Sequence, residues 1–206
     1  MKQALFEQYE TAKEQGNKRL AASLIADFIK TFATDEEREE WTRWYMSNRA
    51  IGHAVRHELF EQVIFPVLLS GHRTSDPWCI EMLERCAQNL YKAEHLWSQV
   101  GYQTEMQLAE RRLEITPNDM KAKERVLEHL ISWFQYSEHE WPAGILYGSD
   151  GATELQCQEI LRSIHKAHAL DNTQAHSHYL DQFEAKVHQY IHRLSQAASR
   201  EPASNA

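Results

Sequence analysis

Apolar residues recur along this chain at steps of three and four, the spacing that gathers side chains on one face of a 3.6-residue helix. The clearest case runs from Asp76 to Asp119. Asp76 before Pro77 predicts a helix start, because the carboxylate accepts an orphan backbone N–H and the ring fixes φ where no donor is needed. Cys79, Met82, Cys86, Leu90, Ala93, Trp97 and Val100 then form one stripe. Gly101 supplies a left-handed stop, and Tyr102, Met106, Ala109 and Leu113 begin a second stripe at once, which predicts a helical hairpin. Thr116-Pro117-Asn118-Asp119 predicts the next start, with Thr116 as cap, Pro117 at the first helical position and Asp119 where a capping-box acid sits.

The same pattern extends in both directions. Leu5, Tyr9 and Ala12 make a short stripe ended by Gly16-Asn17, and Leu20, Ala21, Leu24, Ile25, Phe28 and Phe32 make a broader one. Thr34-Asp35-Glu36-Glu37 reads as a capping box opening a helix with Trp41, Trp44 and Tyr45. After Gly52, a helix near His53 to Ser70 carries Leu59, Phe60, Val63, Ile64, Val67 and Leu68, the most apolar stripe in the chain. Pro66 inside it predicts a kink or restart, and so apolar a helix predicts a central position covered on more than one side. Beyond Pro117, Leu127, Leu130 and Phe134 continue to Tyr136. Leu155, Ile160, Leu161 and Ile164 follow a cap at Ser149 or Asp150, and Leu180, Phe183, Val187, Tyr190 and Leu194 form a seam from about Thr173.

Nine helices joined mostly by short turns follow, which predicts antiparallel neighbours and an all-α fold, with residues 1–196 as a single domain and 197–206 as a disordered tail. Glycine and proline support that class: of seven and five, only Pro66 falls inside a stripe. At 206 residues and 42% hydrophobic, the chain is long enough to bury a core. The hairpin from Leu83 to Pro117 resembles a tetratricopeptide-type repeat, in its two helices, the small Ala109 midway along the second, and the exit proline followed by Asn118-Asp119. Trp97, Gly101 and Tyr102 fall around its turn rather than within its first helix. The resemblance implies stacked helical hairpins and a protein-binding scaffold.

A formal net charge of -8 argues against a nucleic-acid backbone or an anionic membrane surface as main partner. The longest apolar run, Val63 to Leu69, is far short of the ~20 residues that span a bilayer. The start, Met1-Lys2-Gln3, leads into an amphipathic pattern without a signal core, so the expectation is a cytoplasmic protein. Cys79, Cys86 and Cys157 all fall on apolar helix faces and read as small buried hydrophobes.

Candidate chemistry is sparse. No phosphate-binding glycine loop, nucleophile elbow, His-Glu-x-x-His or Cys-x-x-Cys occurs, so no cofactor is expected and the reading leans away from an enzyme without settling it. The one long irregular segment, Ser137 to Gly151, holds more apolar residues than a plain linker needs. Glu138, His139, Glu140, Trp141, Ile145, Leu146 and Tyr147 are its candidate partner-binding residues, of the types that anchor interfaces. The expected function is a non-catalytic protein-binding module. A variant is an acidic inhibitor or immunity-type protein, with Asp35, Glu36, Glu37, Glu39 and Glu40 facing a basic partner. A reading of another class takes His165, His168, His188 and His192, at helical spacings on the last two helices, as metal ligands if those helices pack antiparallel.

Overall fold

The computed structural model describes residues 2–48 and 55–197, with the backbone alone at 198–200. The fold is all-α, 76% helical, and among the described residues the only sheet is a hairpin of two two-residue strands. Each of the nine expected helices has a counterpart among the described residues. Gly52 and His53, expected at a helix break and start, lie outside them.

The chain divides into two compact units, Met1–Pro117 and Asn118–Ala206. In the first, α1 (Lys2–Glu14) and α2 (Lys18–Lys30) form a hairpin, with Asn17 capping α2 by accepting from the Leu20 N–H at 3.2 Å. Helix α3 (Asp35–Asn48) opens at Thr34, whose hydroxyl accepts from Glu37 N–H, while Glu37 reaches back to Ala33 N–H. Phe6, Phe28, Phe32, Trp41 and Tyr45 pack ring against ring here, the Trp41–Tyr45 pair stacked at 4.8 Å.

The most apolar helix is the hub of this unit. It runs through α4 (His57–Leu59), a π turn (Phe60–Ile64) and α5 (Phe65–Arg73), and it touches α2, α3 and α6 (Pro77–Arg85). Phe60, Val63, Ile64 and Leu68 are wholly buried. Pro66 does not break the rod. Its ring would crowd the carbonyl four residues back, and the widened turn, in which Phe65 N–H donates to Phe60 O, makes room.

The stripe from Cys79 to Val100 is one face but not one helix. After α6 come α7 (Ala87–Tyr91), α8 (Glu94–Trp97) and a 3₁₀ turn (Ser98–Val100), divided at Cys86 and at Ala93, where ψ opens to 81°. Periodicity survives in most of the stripe: Cys86, Leu90, Ala93 and Val100 are buried, whereas Trp97 is only half-buried and its neighbour Leu96 takes the buried place. Buried Asn89 in the middle piece donates to Val55 O at 3.1 Å, a polar tie that apolar spacing does not register. Gly101 is the left-handed stop, with φ of 69°, and α9 (Glu105–Ile115) returns against α6 behind a Thr104–Gln107 capping box.

In the second unit, α10 (Met120–Ser137) starts later than expected. Asp119 is its cap, accepting from Lys121 and Ala122 N–H, while the Thr116 hydroxyl closes α9 by donating to Arg112 O. Helix α11 (Glu154–Leu170) is capped by Thr153 with Gln156, not by Ser149 or Asp150, which belong to the β-hairpin. Helix α12 (Ser177–Arg200) begins after a turn whose donors, Ala175 and His176 N–H, are taken by buried Asp171. It continues through residues 197–200, four positions expected in a disordered tail, because Ala197 and Ala198 suit a helix. Positions 201–206 lie outside the described residues. Phe134 and Phe183, 5.2 Å apart, sit in this unit's core with Ile160, Ile164 and Val187.

Candidate functional site

The segment after α10 is folded and braced, not a slack linker. Successive turns carry it away from the helix: His139 N–H donates to Tyr136 O, Trp141 N–H to Glu138 O and Gly144 N–H to Glu140 O. The Trp141–Pro142 peptide is cis. Ile145 then turns inward, and Ala152 N–H donates to its carbonyl at 2.7 Å. Between them, β1 (Leu146–Tyr147) pairs antiparallel with β2 (Asp150–Gly151) across a turn where Gly148 holds φ at 66°, a backbone that suits glycine.

Side chains from three helices hold this excursion. Tyr136 of α10 donates its hydroxyl to Gly148 O at 3.2 Å. Tyr147 donates to Glu159 of α11 at 2.7 Å, and that bond, with burial next, raises the phenol pKa. From α12, Lys186 pairs with Glu138 at 2.7 Å, and Arg193 donates to Pro142 O while its guanidinium lies 4.8 Å above the Trp141 ring and 5.4 Å from Tyr190. Tyr190 also fills the space beside Gly144 and Gly151, so a side chain at Gly151 would crowd its hydroxyl at 3.1 Å. Burial, and then the Glu138 carboxylate, push the Tyr179 hydroxyl upward.

The seven residues expected to meet a partner therefore divide. His139 and Glu140 are exposed, and Trp141, Leu146 and Tyr147 present one side to solvent. Glu138 is engaged with Lys186. Ile145 is a correction: it is wholly buried in the unit's own core and offers nothing to a partner, because a lone isoleucine in an irregular segment gives no periodicity from which its direction can be read. Leu155, expected on the apolar stripe of α11, is instead 71% exposed in the helix's first turn, because the stripe's buried side begins at Cys157.

Three of the four histidines expected as ligands lie beside carboxylates of α12, and one of them, His168, groups with two of these acids. His165 and His168 of α11 face Glu184 and Asp181 of α12, with Nε2 to carboxylate distances of 3.3 and 3.4 Å, and His188 approaches Glu184 at 3.9 Å. His192 lies a turn further along, its Nε2 2.8 Å from the Gln196 amide nitrogen. The two carboxylates carry no motif with the histidines in sequence, since the helices that bring them together are what pair them.

In the first unit, a cleft of about 300 Å³ lies between α3, α5 and α6. Arg43 crosses it, 2.8 Å from Asp76 and 2.9 Å from Glu39, with its guanidinium 4.6 Å above Trp78. The acids of the α3 start are largely engaged: Asp35 with Arg38, Glu39 with Arg43 and Glu37 with Lys2. Cys79 in the cleft wall is buried, and desolvation first, then Asp76, push its thiol up to about 12, so it is held as a thiol rather than a nucleophilic thiolate. Cys86 and Cys157 are likewise free and buried, raised by desolvation to about 12 and about 11.

Comparison of the chain with protein-family models, with curated proteins and with solved structures found no match. No helix among the described residues is long and apolar enough to cross a membrane.

Proposed function

We propose that the protein is a non-catalytic binding module whose second unit seats a protein partner on the excursion between α10 and α11. One observation carries this reading. Tyr136, Glu159, Lys186 and Arg193 are all spent on holding a short segment in a single shape, while Trp141 and Tyr147 keep an open side and His139 and Glu140 face solvent. Aromatic anchors that are already ordered lose little conformational freedom on binding, which is what makes such residues the energetic centre of interfaces. The acidic-inhibitor reading has less support, because Asp35, Glu37 and Glu39 are already paired with Arg38, Lys2 and Arg43, which leaves less uncompensated negative charge to attract a basic partner.

Photo-crosslinking tests the site directly. A photoreactive amino acid at position 140 or 155 should give one discrete protein adduct in cells that make the protein. The same group at exposed Lys13 should not give that adduct, and Trp141→Ala should reduce it at least tenfold. An adduct indifferent to Trp141→Ala, or none from either position, overturns the proposal.

A further inference from the structure

We infer that the facing edges of α11 and α12 form a zinc-class metal site built from His168, Asp181 and Glu184, with His165 completing the set. The inference is independent of the partner platform, since none of these residues braces the 138–151 excursion.

The argument is geometric. Around a tetrahedral Zn²⁺ with bonds of about 2.1 Å, neighbouring ligand atoms stand about 3.4 Å apart. The structure already places candidate atoms near that spacing. His168 Nε2 lies 3.4 Å from Asp181 Oδ1, and His165 Nε2 lies 3.3 Å from Glu184 Oε1. One donor atom from each of His168, Asp181 and Glu184 lies within 4.8 Å of the other two. These three donors form the close group, and His165 adjoins it through Glu184.

The helices explain why the set converges. His165 and His168 are three apart on α11, and Asp181 and Glu184 are three apart on α12, so each pair shares a face. The short connection makes the helices antiparallel, so the earlier histidine meets the later acid. His168 and Glu184 side chains are 31% and 29% exposed, whereas His165 and Asp181 are 70% and 71% exposed, which leaves the inner pair positioned and the outer pair free to swing in. The fourth place falls to His165 rather than His188, whose Nε2 is 3.9 Å from the same carboxylate oxygen.

Nitrogen and carboxylate donors without thiolate suit Zn²⁺ and its first-row neighbours, not a thiophilic ion. Another histidine–carboxylate group in the chain is poorer in ligands: Glu61 faces His57 at 3.4 Å and His95 at 2.7 Å, a single carboxylate between two exposed rings. That contrast makes His95 the control.

Protein purified without a histidine tag and stripped with chelator should take up one equivalent of Zn²⁺ by titration calorimetry. His168→Ala and Glu184→Gln should each weaken binding at least about tenfold, while His95→Ala and His192→Ala leave it unchanged. Co²⁺ should give the intense ligand-field bands of a four-coordinate site, and Asp181→Asn should lower them. Circular dichroism of each variant separates loss of ligand from loss of fold. No uptake by the folded protein, uptake insensitive to His168→Ala and Glu184→Gln, or uptake lost with His95→Ala would overturn the assignment.

Discussion

Asp76 does three jobs at one position. It caps α6 by accepting from Trp78 N–H at 2.9 Å, accepts from Arg43 at 2.8 Å, and takes the Cys79 thiol at 3.4 Å. Burial alone would raise its pKa, but these donors outweigh burial and the carboxyl lies below its ordinary value. A depressed carboxyl contributes stability that is full above the unfolded-state pKa, about 3.9, and is lost as pH falls through the lower folded value. The melting temperature of Asp76→Asn should therefore fall below that of the wild type at pH 7, and the gap should close below about pH 4. A gap that is constant with pH would mean that Asp76 acts through shape and not through charge. The cap was legible in sequence because Asp-Pro is a local signal. The Arg43 partner was not, because 33 positions separate the two residues and no pattern links them. Asp119 shows the limit even of local signals: Thr116, Asn118 and Asp119 are all capable caps, and the Thr116 hydroxyl is drawn back to the preceding helix instead.

At the scale of elements, the apolar stripes located every helix but did not say which helices would be continuous. Periodicity reports which side is dry, and a run divided at Cys86 and Ala93 keeps the same dry side as an unbroken rod. Pro66 was legible as a perturbation, but the π turn that accommodates it has no local signal, since a kink or a restart would fit the same residues. Gly71 is the residue whose role only packing reveals. It lies in α5 where α6 crosses closely, and a Cβ there would stand 2.2 Å from Cys79 Sγ and 2.5 Å from Cys79 Cβ. Alanine gains roughly 1 kcal/mol over glycine within a helix. Overpacking of a tight core contact costs about 1–3 kcal/mol, and here the opposing atoms include a Cβ that cannot swing aside. Gly71→Ala should thus be destabilising in urea unfolding, and Cys79→Ala in the same background should recover only part of the loss, since Cys79 Cβ remains. A Gly71→Ala protein as stable as the wild type would show that moving α5 and α6 apart costs no more than the helical gain of alanine, roughly 1 kcal/mol.

For the molecule as a whole, the all-α class was legible from glycine and proline placement, and the division into two units was not. The turn at Thr116-Pro117-Asn118 looks like any other helix exit, and nothing local in residues 1–196 marks it as a boundary between units. A division shows only in where buried side chains gather. The apolar cluster that contains Phe6, Phe28, Phe60, Leu68 and Leu83 ends at Leu108, with Ile115 packed against it. The second unit buries its own set around Phe134, Ile160 and Phe183. Each set is drawn from helices contiguous in sequence, so each segment carries a core of its own. Residues 1–117 and 118–206, produced separately, should each melt cooperatively, and their helical circular dichroism should sum to that of the full chain. The shorter piece is the sterner test, because domains of its size bury a smaller fraction of their surface and sit closer to the stability threshold. If 118–206 is unstructured by itself while 1–117 folds, the braced excursion and the histidine–carboxylate edge depend on the first unit, and variants at either site must then be measured in the full chain.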